Sequence, residues 1–296
     1  MRILTYITTQ EDAGRAVRSV APRRFHLGEH AFRRLKVQHA VLLDGMPVRA
    51  NHILAPGQTL QIRLDNGIEP PQDTHSPQGV SALIRYIDSD MIIACKGAPL
   101  ATLPCAHIKT GTLREQLAAA LGEDAASFCF HPVNRLDKGT SGLLCVARHA
   151  HAQRLLSAQL HTGGFVREYL AVTQGVPKCE CGTIDAPIAR LGAGARRGIL
   201  PNGRHAVTHY RVERASAGRA LVRLCLETGR THQIRVHLSH IGCPIVGDYL
   251  YGQALPQLNG RFALHSAYLR CAQPVTGERV TCVQPLPPEL LALLDE

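Results

Sequence analysis

Residues 65–81, "DNGIEPPQDTHSPQGVS", crowd proline, glycine, aspartate and serine together without any apolar period. A run of that kind sustains neither a helix nor a strand, so it predicts a linker over residues 67–81. The chain of 296 residues then divides into a small unit, residues 1–66, and a larger one, residues 82–296. With 45% hydrophobic residues, both can bury a core.

The small unit carries a basic helical stretch with Arg33, Arg34 and Lys36, then "AVLLDG" turning at Asp44-Gly45 into "MPVRAN", and a final strand "TLQIRL". Asp-Gly between apolar runs is a strong hairpin signal. A basic helix before a tight hairpin can lay several cations along a nucleic-acid backbone; the plain alternative is a solvated basic face. In the larger unit, "ALIRYID", "MIIACKG", "GLLCVAR" and "REYLAVTQGV" predict strands. "HAVTHYRVERAS" and "RALVRLCLETG" predict an antiparallel pair, and helices fall in "TLREQLAAALGE", "HAHAQRLLSAQLHTG" and "RTHQIRVHLSHIG", the last closed by Gly242. Antiparallel succession with helices inserted predicts a mixed, mainly antiparallel α+β domain preceded by a small α/β one.

Composition narrows the function. The longest apolar runs are far too short to cross a membrane, and residues 1–14 lack the pattern of a secretory signal. A soluble, cytoplasmic protein is expected. The ten cysteines are scattered, mostly in apolar runs, and only Cys179 and Cys181 come close, so buried reduced thiols are expected rather than a disulfide framework or metal site. His149 and His151, two apart at a helix start, are expected to diverge on its surface. No phosphate-cradling glycine loop, dinucleotide fingerprint or H-E-x-x-H occurs, so neither metal nor cofactor is expected. The net charge of +10 favours a polyanion, nucleic acid first. Lys36, Lys96, Lys109, Lys138 and Lys178 are the only lysines, so arginine, suited to bidentate phosphate contacts, supplies most of that charge.

Three segments hold candidate chemistry. In "HPVNRLDKGTSGLLCVA", Asp137 sits in a tight turn where Thr140 and Ser141 can bond neighbouring backbone. It could serve as nucleophile, as general base, or simply close the turn with Arg135 or Lys138. In "GRTHQIRVHLSHIG", helical spacing puts Arg235 on one side with His232 and Ser239, and a buried arginine requires a carboxylate partner. Tyr169, in "REYLAV", reads locally as a core tyrosine.

The order and wording of "NRLDKGTSGLLCVAR", "REYLAV", "GRTHQIRVHLSHIGCPIVGDYLYG" and "ALHSAYLRCAQPVTGE" resemble the RluA-type family of RNA pseudouridine synthases, over most of residues 82–290. The first unit resembles the S-four-like RNA-binding module that often precedes this catalytic domain. The resemblance implies that Asp137 is the essential catalytic residue, Arg235 its ion-pair partner and Tyr169 the aromatic that stacks on the target base. It further implies that Ile234 packs against the nucleotide and that Arg135 takes the displaced base's place in the RNA stack. Asn134, Thr140, Ser141, Arg230, His232 and Gln233 complete the expected RNA-facing set, with Arg33, Arg34 and Lys36 in the first unit. The isomerisation is redox-neutral and consistent with the missing cofactor motifs. Ribosomal RNA is the expected substrate, with transfer RNA, or an inactive RNA-binding protein of the same fold, as alternatives; a monomer is expected. The chain departs from the family at Asn134, where histidine is usual, and at "CKGAP", residues 95–99, where Asn-Lys-Pro is common.

Overall fold

The computed structural model describes residues 2–64, 83–105 and 108–295. The expected linker falls outside the described residues. Before it lie β1 (Arg2–Ile7), α1 (Val17–Arg24), α2 (Glu29–Val37), β2 (Val41–Leu43), β3 (Met46–Pro47) and β4 (Thr59–Leu64). The strands form an antiparallel sheet in the order β1-β4-β2-β3. Asp44 and Gly45 both adopt positive φ, 50° and 82°, the geometry of a primed hairpin turn whose twist matches the strands it joins. Alternate residues Leu60, Ile62 and Leu64 of β4 face Val17, Val20, Phe32 and Leu35 of the two helices, closing a core of their own. The second helix and the hairpin match the expected elements, whereas β1 and α1 are additions to them. Both read poorly from pattern: β1 buries only Leu4, and α1 contains Pro22.

The remaining elements are β5 (Ile84–Ile87), β6 (Met91–Lys96), α3 (Leu113–Ala120), β7 (His131–Pro132), β8 (Ser141–Ala147), α4 (Ala150–Gln159), β9 (Val166–Gln174), β10 (Cys181–Asp185), β11 (Ile188–Arg190), β12 (Arg197–Ile199), β13 (Val207–Ser216), β14 (Arg219–Leu226), α5 (Gln233–His240), β15 (Leu264–Ala272), β16 (Arg279–Val283) and α6 (Pro288–Ala292). Ten strands make one sheet, in the order β10-β13-β14-β9-β15-β8-β6-β5, with β16 on β15 and β7 on β8; β11 and β12 form a separate hairpin. Every pairing is antiparallel except β15 with β8, where His265 meets Ser141 and Ser266 meets Gly142. The fold is therefore mixed α+β with mainly antiparallel sheets.

The centre of this sheet is covered on both sides, which is why β8 reads as an unbroken apolar run rather than an alternating one. Leu144 and Val146 join the core formed with α3, α5 and α6, whereas Leu143, Cys145 and Ala147 join the one beneath α4. No helix among the described residues is long and apolar enough to cross a membrane. All ten cysteines are free.

The two histidines expected on the surface of α4 are instead buried. His149 caps α4, its Nδ1 accepting from the Ala152 N–H at 3.1 Å, and its Nε2 lies 3.0 Å from Asp90. The His151 ring stacks on it nearly parallel, with centroids 6.2 Å apart. Capping geometry draws the first turn of α4 inward against β6, and both rings follow.

Candidate active site

The turn between β7 and β8 is built by close approach. Its Thr140 N–H bonds the Asp137 carbonyl at 3.1 Å. A Cβ at Gly142, whose φ is +105°, would lie 2.2 Å from the Ser266 carbonyl oxygen, so only glycine lets β8 run beside β15 there. Gly139 is likewise pressed against the Phe262 ring. Lys96, at the end of β6, reaches under the turn and is almost fully buried. Its ammonium donates to the carbonyls of Gly97 (2.9 Å), Leu100 (2.7 Å) and Lys138 (3.3 Å). Burial pulls this amine down to about 7, and the nearby charge of Asp137 opposes that fall.

Asp137 projects from this turn toward α5, its side chain 28% exposed and so open to a ligand. Arg235 Nη1 donates to it at 3.1 Å. Arg235 has a second, stronger partner that pattern reading did not supply. Its Nε and Nη2 donate to the two oxygens of Asp248 at 2.7 and 2.8 Å, a bidentate fork with a fully buried carboxylate. Asp248 also accepts from the Leu250 N–H at 3.0 Å. The Arg235 guanidinium lies 4.3 Å from the Phe262 ring centroid and 5.0 Å from that of Tyr251. One signal for Asp248 was present in the sequence: a helix arginine facing a reactive carboxylate needs a further anion to be neutral in the interior, and Gly247-Asp248 lies one loop away.

His232 precedes α5 in the left-handed conformation, φ +60°. Its Nδ1 is 2.8 Å from the Tyr251 hydroxyl and its Nε2 3.9 Å from Asp137. Burial holds its pKa below the ordinary value, with Asp137 opposing. The Tyr251 hydroxyl also accepts from the Arg197 N–H at 2.8 Å, tying the β11–β12 hairpin to the site. Tyr169 is only 4% exposed and packs in the same core as Ile234 and Leu224, with burial raising its phenol pKa. Asp137 is close enough for its charge to add to that rise.

The structure thus brings Asp137, His232 and Arg235 together, with Tyr169 and Ile234 in the wall behind them. Four residues expected to face RNA are enclosed instead. Asn134 accepts from the Cys145 N–H at 2.9 Å and pins the turn to β8. Ser141 pairs with His265 at 2.8 Å and accepts from Arg261 at 3.1 Å. Thr140 is 2% exposed. Gln233 donates to the Val207 carbonyl at 2.9 Å and accepts from the Arg230 N–H at 2.9 Å. Asn134, Ser141 and Gln233 are thus held by protein partners, and Thr140 is enclosed where the turn enters β8. Arg135 is exposed at the mouth, and Arg230 lies at the surface with its Nε on the His205 carbonyl. In α2, Arg33 and Lys36 border a groove with α1 and the segment that follows β3, whereas Arg34 lines a cavity shared with the larger unit. Among the described residues no cluster of histidine, cysteine and carboxylate could hold a metal ion.

Comparison with known proteins agrees with this geometry. The family model described as RNA pseudouridylate synthase matches residues 90–240. The chain is 38% identical over 267 residues to ribosomal large subunit pseudouridine synthase D of Xanthomonas campestris, covering 86% of this chain and 80% of that one. It is 38% identical over 298 residues to an uncharacterized RNA pseudouridine synthase of Chloroflexus aurantiacus, covering 99% and 92%. The solved structure of human RNA pseudouridylate synthase domain containing 1 superposes with a TM-score of 0.58 at 28% identity, over 75% of this chain and 91% of that one. A match over half of the chain, with relatives this similar along most of their length, shows that the chain belongs to the RluA-type family of RNA pseudouridine synthases.

Proposed function

We propose that this pseudouridine synthase isomerises specific uridines of ribosomal RNA, with Asp137 as its essential carboxylate. The observation that carries the reading is the chain of contacts from Asp137 to Arg235 to Asp248, an accessible carboxylate tethered to a buried, fixed guanidinium. Uridine and pseudouridine are isomers. The bond from N1 to C1′ breaks, one from C5 to C1′ forms, and a proton leaves C5 while N1 gains one. Asp137 can attack C1′ or remove the C2′ proton, and both routes require the ionised form. Arg235 favours that form once a base has excluded water. Tyr169 lies where it can back the turned ring, and Arg135 is free to fill the gap left in the stack. Extracting the base costs roughly a few kcal/mol.

The ribosomal substrate is supported by relatives named for the large subunit and by the first unit's groove. Arg18, Arg33, Lys36 and Arg49 surround it, and its one acid, Glu29, is paired with Arg33 at 3.3 Å. We read this unit as the S-four-like RNA-binding module. The test is to incubate the enzyme separately with unmodified large-subunit, small-subunit and transfer RNA and map pseudouridine in each. The expected result is modification at discrete positions in the large-subunit RNA. Modification confined to transfer RNA would replace the ribosomal assignment, and none in any RNA would leave only a binding role.

A further inference from the structure

A second basic site lies apart from Asp137, between α2 and the start of α4. A cavity of about 290 Å³ opens there, far larger than one water needs. Among the described residues its polar lining holds Arg34 from α2, Arg154 from α4, and His131, His149 and His151, with the neutral Gln38 and Cys129 and no carboxylate. Arg34 and Arg154 have exposed side chains with no carboxylate partner among the described residues. His151 is more than nine-tenths buried, and its Nδ1 has no hydrogen-bond partner among them. The positive end of α4 faces the same space, since His149, Ala150 and His151 all line it. Leu27 and Leu35 supply apolar walls that would strengthen any charge interaction inside.

Among the described residues the acid that acts on these histidines is Asp90, already engaged by His149 (3.0 Å), Arg2 (3.3 Å) and Gln273 (2.6 Å). We propose that this cavity binds a phosphate group, clamped by Arg34 and Arg154 above the His131 and His151 imidazoles. The surroundings disfavour protonation of both rings in the free protein. Burial first, then the charges of His149 and Arg34, lower His131. Burial, His149, Arg154 and His26 bring His151 to about 4, with Asp90 opposing. An oxyanion reverses that balance, so binding takes up protons and tightens as pH falls from neutrality toward 5.5.

The phosphate could belong to the RNA backbone, in which case the site rests on the RNA-modifying reading, or to a small phosphorylated ligand. The experiment uses the full chain with ¹³C-labelled histidine and sulfate, which stays dianionic throughout this range. Saturable shifts of the His131 and His151 resonances are expected, with tighter binding at pH 5.5 than at 7.5. Arg154→Gln should weaken sulfate binding about tenfold, as expected for losing a charge-assisted hydrogen bond. Shifts that chloride reproduces, or that Arg154→Gln leaves unchanged, overturn the proposal. In a second arm, the salt dependence of RNA binding is compared with that of Arg154→Gln. A slope smaller by about one identifies a backbone phosphate, and an unchanged slope a small anion. Pseudouridine formation by both proteins on the same RNA is measured alongside. If neither protein forms any, the functional reading fails while the sulfate result stands by itself.

Discussion

In the proposed reaction Asp137 works beside a counter-charge that cannot drift, because Arg235 is fixed on every side. Asp248 takes two of its nitrogens, Asp137 a third, and Phe262 and Tyr251 flank the guanidinium. Removing one partner of a buried pair costs roughly 3–5 kcal/mol, because the other is left uncompensated. Asp248→Ala should lower unfolding stability by about that amount in denaturant titrations. The double variant Arg235→Met with Asp248→Leu should recover most of it yet remain inactive, since Asp137 has lost its partner. Lys96 gives a prediction of opposite flavour. Its folded pKa of about 7 lies below the ordinary 10.5, so between those values the unfolded chain holds the extra proton. Stability therefore rises with pH across that window. The stability difference between wild type and Lys96→Met, followed by thermal unfolding, should rise from pH 7 to 10 and be flat below about pH 6.

Among the elements, β8 and its preceding turn carry the most constraint. The parallel step onto β15 exists because Gly142 has no side chain; Gly142→Ala drives a methyl into the Ser266 backbone. That substitution should cost more than about 4 kcal/mol or prevent folding altogether, as a denaturation series will show. Much of this level was legible in the sequence. In the larger unit β5, β6, β8, β9, β13, β14 and α3 to α5 follow from apolar period and the Asp44-Gly45 hairpin from its dipeptide, whereas β7, β10 to β12, β15, β16 and α6 do not. What escaped was set by contacts between distant segments. Asp248 is paired with Arg235 by a loop, not by a repeat; the enclosure of Asn134, Thr140, Ser141 and Gln233 follows from neighbours that no local window contains. The inward turn of His149 and His151 depends likewise on Asp90, in the distant turn between β5 and β6. The presence of Asn134 where histidine is usual is now intelligible, because its amide oxygen holds the Cys145 N–H.

Over the whole molecule, one basic groove and one basic cavity lie in or against the first unit, and Asp137, the proposed catalytic carboxylate, lies in the larger one. A net charge of +10 draws RNA to both units, and the weak sequence-independent attraction leaves selection to the fit around Asp137. Because the new bond forms at C5, every turnover releases the hydrogen carried there. The most direct test of the central claim is therefore tritium release from large-subunit ribosomal RNA labelled at C5 of uridine, comparing wild type with Asp137→Asn. The wild type should release tritium stoichiometrically and Asp137→Asn none above background, with RNA affinity retained within about threefold, since the substitution keeps the side chain's size and Arg235 keeps its fork with Asp248. Release by Asp137→Asn at a rate comparable to wild type would contradict that claim.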